Sequence, residues 1–137
     1  VPFTGLQRIN LALEEFRGLY PDAPVLSFQV FVSIATNQGV TSTDLKRRIG
    51  TSQSAISRHQ LLLSTWTWQG TRPSLDLIEV KEDPADRRNK CSFLTPKGRL
   101  LACSLMRIMD PTIDITSVDF MVPDLKPSPH SNGGTSG

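Results

Sequence analysis

With 137 residues the chain is long enough for one core and too short for two independent ones. Apolar residues make up 38% and charged residues 20%, which fits a soluble globular core with part of the chain left unpacked. No apolar run approaches the roughly 18–20 residues that cross a bilayer. No basic segment followed by an apolar run opens the sequence, so no secretory signal is expected. Two cysteines, Cys91 and Cys103, are too few for a disulfide framework or a four-ligand zinc site, and the expected setting is a reducing cytoplasm without membrane contact.

The formal net charge is only +2, but it is unevenly spread. Between Gly39 and Arg107 twelve Lys and Arg face six Asp and Glu, a local charge of +6, whereas the remainder carries three bases and seven acids. A basic middle between acidic ends suits a core that binds nucleic acid; ordinary surface charge is the alternative.

Thr4 to Leu19 is predicted as a first helix. Thr4 suits the cap, and Leu6, Ile9, Leu13 and Phe16 recur at three- and four-residue spacing, with Leu11 and Leu19 widening the apolar face. Tyr20-Pro21-Asp22-Ala23-Pro24 ends it. A second helix is expected from Pro24 or Val25 to Asn37, with Phe28, Phe31, Ile34 and Ala35 on one side and Gly39 in a left-handed closing turn. Thr41-Ser42-Thr43-Asp44 has the form of a reciprocal cap on a short helix that turns Leu45 and Ile49 inward and breaks at Gly50. Ser52 or Thr51 then caps a longer helix reaching Leu63 or Trp66, with Ala55, Ile56 and Leu63 inward. Two helices joined by a tight glycine-containing turn form a helix-turn-helix unit.

Thr67 to Ser74 is read as a loop, and the alternation of Leu75 to Glu82 predicts a strand. Asp83 to Asn89 is a charged turn and Lys90 to Leu94 the returning strand, giving a hairpin with a basic tip. Thr95-Pro96-Lys97-Gly98 opens a last helix whose apolar side is Leu100, Leu101, Leu105, Ile108 and Met109, and Asp110-Pro111 stops it. Ile113 to Val122 is extended in character, an arm expected to pack on its own core or on a partner. From Pro123 to Gly137 the composition is that of a disordered tail.

Two passages resemble the MarR family of bacterial transcription regulators. Gly39-Val40-Thr41-Ser42-Thr43-Asp44-Leu45 through Ile49-Gly50-Thr51-Ser52-Gln53-Ser54-Ala55-Ile56-Ser57-Arg58 is similar to that family's helix-turn-helix. Asp83-Pro84-Ala85-Asp86-Arg87-Arg88 followed by Leu94-Thr95-Pro96-Lys97-Gly98 is similar to its wing signature, and this match is the more specific. The resemblance covers roughly Phe28 to Leu101. It implies an α+β winged helix-turn-helix, mostly helical with a two- or three-stranded β-wing. Together with the residue-by-residue reading above, it gives a domain over 1–109 whose first helix is expected to take part in dimerisation, followed by an arm over 110–122 and a tail over 123–137. The chain departs from the family in a longer loop from Thr65 to Asp76, carrying Trp66 and Trp68, and in lacking helix propensity after Asp110-Pro111.

The N-terminal part of a second helix in such a unit enters the major groove, where short polar side chains reach base edges. Ser52, Gln53, Ser54, Ser57 and Arg58 meet that demand, with Gln53 and Arg58 the leading candidates for base readout; a solvated helix face is the alternative. At the wing, the resemblance places Arg87 and Arg88 against the minor groove, with Asp86 orienting an arginine. Lys46, Arg47, Arg48, Lys90 and Lys97 suit phosphate contacts. His59 is read as a half-buried structural histidine in preference to a base contact or pH sensor. At least one of Trp66 and Trp68 is read as a core anchor, with base stacking or a protein-partner patch as alternatives. Cys103 is expected to pack in its helix, and Cys91 has no resolving partner that would favour redox sensing.

No phosphate loop, zinc-binding histidine pair or nucleophile elbow occurs, so no enzyme, cofactor or metal is expected. The expected function is sequence-specific double-stranded DNA binding by a cytoplasmic, nucleoid-associated homodimer that represses transcription. The alternatives are a winged-helix protein-interaction module, or a DNA-binding replication or recombination accessory of a plasmid or phage.

Overall fold

A computed structural model describes residues 4–64 and 74–117. The Trp66/Trp68 loop, the arm from 118 onward and the tail lie outside the described residues. Helix α1 (Gly5–Leu19) starts with a full capping box, Thr4 accepting from the Gln7 backbone and the Gln7 side chain accepting from Thr4. It is followed by α2 (Val25–Ala35), β1 (Val40–Thr41), α3 (Ser42–Ile49), α4 (Gln53–Leu63), β2 (Ile78–Glu82), β3 (Lys90–Leu94) and α5 (Pro96–Met109). The sheet is antiparallel in the order β1-β3-β2. Its register sets Val40 and Val80 on either side of Ser92, and Glu82 opposite Lys90. This is the winged helix-turn-helix arrangement, with β1 as a third strand. No helix among the described residues is long and apolar enough to cross a membrane.

The core forms where five elements converge: Phe16, Phe31, Ile34, Leu45, Ile56, Leu63, Leu77 and Ile78 are all fully buried. Phe16 meets Phe28 edge-on at 5.1 Å between ring centroids and lies 5.9 Å from Phe31, so aromatic packing joins α1 to α2. Helix α1 runs antiparallel to α5, and Arg8 Nη1 donates to the carbonyls of Ile108 and Met109, the last turn of α5. Those carbonyls have no partner within their own helix, and a guanidinium there also meets the negative end of the helix dipole.

Several inward assignments shift. On α1 the buried positions are Ala12 and Phe16, while Leu6 and Ile9 are exposed, because the first two turns reach beyond the core that Phe16 enters. On α5 the buried line is Gly98, Leu101, Ala102 and Leu105, and Leu100 and Met109 face outward. Helix α2 ends at Ala35 and not at Asn37. Gly39 adopts φ +87° not as its cap but on the way into β1, where its N–H donates to the Ser92 carbonyl. Strand β2 begins at Ile78, three residues later than the alternation suggests. The described part of the predicted extended arm holds a short 3-10 turn, Ile115–Ser117.

The Thr-Pro-Lys-Gly start of α5 has a steric reason. Thr95 Oγ1 accepts from Gly98 N–H and donates to the Asp76 carbonyl, pulling the helix start onto the segment before β2. The approach is so close that a Cβ on Gly98 would stand 2.0 Å from the Leu77 carbonyl oxygen. Gly98→Ala is therefore expected to lower the unfolding free energy in urea by at least about 2 kcal/mol. A Cβ on Gly18, also inside a helix, meets nothing within 4 Å, and Gly18→Ala is expected to raise stability by up to about 1 kcal/mol. Equal effects from the two substitutions would contradict this packing.

Candidate nucleic-acid interface

The turn between α3 and α4 is built from capping chemistry. Thr41 Oγ1 accepts from Asp44 N–H at the start of α3, Gly50 closes it with φ +79°, and Ser52 Oγ accepts from Ala55 N–H to start α4. The reciprocal half of the expected cap on α3 is replaced, since the Asp44 carboxylate takes the Arg47 guanidinium instead. On α4 the stripe Ile56, His59, Gln60 and Leu63 is buried, and Ala55 is only half-buried. The opposite face presents Gln53, Ser54, Ser57 and Arg58 to solvent. Ser52 is exposed too, but its hydroxyl is engaged as the helix cap and lies 3.2 Å from Ser54 Oγ.

Two polar side chains within the buried stripe fix how this helix sits. Gln60 accepts from Ser42 Oγ at 3.2 Å and donates through Nε2 to Ser92 Oγ at 3.0 Å, joining α4 to α3 and to the central strand β3. His59 Nδ1 shares a 2.7 Å hydrogen bond with Ser27 Oγ of α2, both residues being fully buried. His59 is thus a structural histidine, more deeply buried than expected. Burial, and secondarily the charge of Arg58, lower its pKa below the ordinary value of about 6.5. Gln60, Ser42 and Ser92 were not among the predicted site residues. Spacing carries a signal for Gln60 alone, which with His59 occupies the inward positions between Ile56 and Leu63, whereas the pairing with Ser42 and Ser92 depends on tertiary packing.

The hairpin turn holds itself together. Asp83 and Asn89 are linked through Asp83 N–H, Asp86 N–H donates to the Asp83 carbonyl, and Asn89 N–H donates to that of Asp86. Asp86 Oδ1 accepts from the Arg88 backbone at 3.1 Å and lies 3.4 Å from Arg88 Nε, so the wing arginine that this carboxylate meets is Arg88. Arg87 has a different partner, Glu82, at 3.4 Å, and Lys90 Nζ lies 3.8 Å from the other oxygen of the same carboxylate. Asn89 Oδ1 accepts from Thr43 N–H, tying the hairpin to the first turn of α3.

Helix α4's exposed face, α3's exposed Lys46, Arg47 and Arg48, and the hairpin with Arg87, Arg88 and Lys90 are therefore joined through Gln60 and Asn89. Lys97 stands apart: it lines the groove between α1 and α5 with Glu14, Leu19 and Leu100, at the root of the hairpin away from its tip. Among the described residues no group of three or more His, Cys, Asp and Glu could hold a metal ion.

No family model matches the sequence, and no curated protein matches it. Solved structures do resemble the fold. The Staphylococcus aureus MepR–DNA complex matches with a TM-score of 0.58 at 20% identity, over 82% of this chain and 82% of that one. Streptococcus pneumoniae FabT in complex with DNA matches with 0.56 at 18% identity, over 93% and 84%. A mutant MarR from E. coli complexed with operator DNA matches with 0.54 at 20% identity, over 87% and 77%. These likenesses establish the winged helix-turn-helix fold.

The buried imidazole makes stability depend on pH in a definite direction. The unfolded chain takes up the His59 proton at higher pH than the folded chain does. The contribution is therefore complete above about pH 6.5 and is lost as pH falls through the window below it, toward the folded-state pKa. Urea unfolding at pH 7.5 and 5.5 is expected to find the native protein weaker at the lower pH. His59→Gln is expected to be less stable at both, with that difference much reduced. An undiminished pH dependence in the variant would contradict the assignment.

Proposed function

We propose that this chain is a double-stranded DNA-binding transcription regulator of the MarR type. The observation that carries the reading is the attachment of two exposed elements to one frame, helix α4 to α3 and β3 through buried Gln60 and the cationic hairpin to α3 through Asn89. An α-helix fits the major groove, and an arginine at the tip of a hairpin fits the narrow minor groove beside it. Held in one frame, the two elements can meet neighbouring grooves of a single duplex. The three similar structures described above are each of a protein in complex with DNA, which supports the same reading.

In this reading Gln53, Ser54, Ser57 and Arg58 face base edges, and Ser52 fixes the helix start, leaving only spare hydrogen-bonding capacity for DNA. Arg88, oriented by Asp86, enters the minor groove with Arg87 beside it. Lys46, Arg47, Arg48 and Lys90 contact phosphates, while the position of Lys97 makes it the weakest of the predicted phosphate ligands. We assign residues 1–109 to the DNA-binding unit and propose that it works as a cytoplasmic homodimer. The exposed apolar side chains Leu6, Ile9, Leu19, Leu100 and Met109 on the antiparallel pair α1 and α5 support the dimer. Bound at a promoter, such a dimer represses by occlusion. The tryptophan loop as a protein-binding patch stays outside this proposal.

The test is selection of duplexes from a random genomic pool by the purified protein, followed by titration of the winner against salt. A palindromic winner is expected, with affinity falling steeply as salt rises. Arg88→Ala should lose most of the affinity, and Arg58→Ala should lose about 1–3 kcal/mol together with discrimination at one base pair in each half-site. A non-palindromic winner would remove the dimer and favour an architectural or replication role. No enrichment and no salt-sensitive binding would overturn the DNA-binding reading altogether.

A further inference from the structure

Between Glu82 and Lys90 the wing carries three acids, Glu82, Asp83 and Asp86, and three bases, Arg87, Arg88 and Lys90. For a cationic DNA contact this balance is unexpected, and two of the acids have local work that accounts for them. Asp83 Oδ1 accepts from Ala85 N–H and Asp86 Oδ1 from Arg88 N–H, so both carboxylates shape the turn. Glu82 shapes nothing. It is the last residue of β2, opposite Lys90 in the register, and its carboxylate is half-exposed. Its two oxygens are divided between two cations: Oε1 lies 3.4 Å from Arg87 Nε, and Oε2 lies 3.8 Å from Lys90 Nζ. Exposed pairs of this kind contribute little to stability, so the fold itself does not explain the carboxylate.

Resting on the DNA-binding reading above, we propose that Glu82 is a specificity-setting counter-ion of the wing. In the free protein its single negative charge is shared between Arg87 and Lys90 and offsets one of their two positive charges. Loose attachment to a non-specific duplex draws its affinity from counter-ion release by unpaired cations, and Glu82 removes cationic charge from that term. At a matching site, phosphates come close enough to replace the carboxylate with charge-assisted hydrogen bonds of the same kind. The exchange is then nearly balanced. Glu82 thus weakens non-specific binding more than specific binding and widens the ratio between them. It is a positioning residue that acts through Arg87 and Lys90 and does not touch bases.

The test compares the selected duplex with a scrambled duplex of equal length, titrated against salt with the native protein, Glu82→Gln and Glu82→Asp, with urea unfolding of all three. Glu82→Gln keeps the shape and removes the charge. It is expected to bind the scrambled duplex about five-fold more tightly at moderate salt, with a salt slope steeper by about one. Its affinity for the selected duplex should change by less than about two-fold, and its unfolding midpoint should stay near that of the native protein. Glu82→Asp, which retains the charge, should keep the native ratio between the two duplexes. An equal gain on both duplexes, or no gain on the scrambled one, would overturn the inference while leaving DNA binding intact. A native protein that binds neither duplex in a salt-dependent way would overturn both together.

Discussion

A buried amide must find partners for both its donor and its acceptor, and Gln60 finds them on the two elements that flank α4. Its carbonyl oxygen takes the Ser42 hydroxyl at the start of α3, and its nitrogen reaches the Ser92 hydroxyl in the middle of β3. Removing either partner would leave a buried polar group unsatisfied, at about 1–3 kcal/mol each. Rotating or sliding α4 would break both bonds at once. The register of β3 adds to this constraint, because Ser92 is the residue paired with Val40 on one side and Val80 on the other. The exposed face of α4 and the projection of the hairpin therefore follow from one small network. His59 with Ser27 pins the same helix to α2 from its other inward position.

Much of this was legible in the sequence because local chemistry determined it. The caps at Thr4, Thr41, Ser52 and Thr95, the left-handed Gly50 and the strand Lys90–Leu94 occupy the positions that their residue types indicate. The signature Asp-Pro-x-Asp-Arg-Arg has a local cause too, since its two aspartates close the turn through their own backbone neighbours. What the sequence left hidden depends on tertiary packing. Strand β1 is two residues long and exists only because β3 lies beside it. Leu6, Ile9 and Leu100 lie on apolar faces that sequence spacing identifies, but spacing cannot tell where along a helix the core begins and ends. The partner of Arg87 is Glu82, five residues away across the hairpin, and that pairing follows from the strand register.

The electrostatics of the surface reflect the same division. Arg47 is engaged by Asp44, Arg88 by Asp86, and Arg87 and Lys90 by Glu82. Such pairs limit the freedom of long side chains before any ligand arrives, at little benefit to folding. Under the proposed DNA-binding reading, a surface that holds its cations in this way would rely on geometric fit more than on total charge, in accord with the net charge of only +2. Under that same reading, the exposed serines on α4 fit this view, since short side chains would leave room for the helix to approach closely.

The central claim is that α4 and the wing engage one duplex as a single unit, and methylation protection by dimethyl sulfate tests it most directly. The reagent reports guanine N7 in the major groove and adenine N3 in the minor groove on the same DNA. On a selected duplex the account predicts protected N7 positions flanked at a fixed offset by protected N3 positions. With each variant raised to a concentration that saturates the duplex, Arg88→Ala should lift the N3 protection and leave the N7 protection in place, whereas Gln60→Leu should weaken both together. N7 protection with no wing-dependent protection of N3, or Gln60→Leu leaving both unchanged, would contradict it.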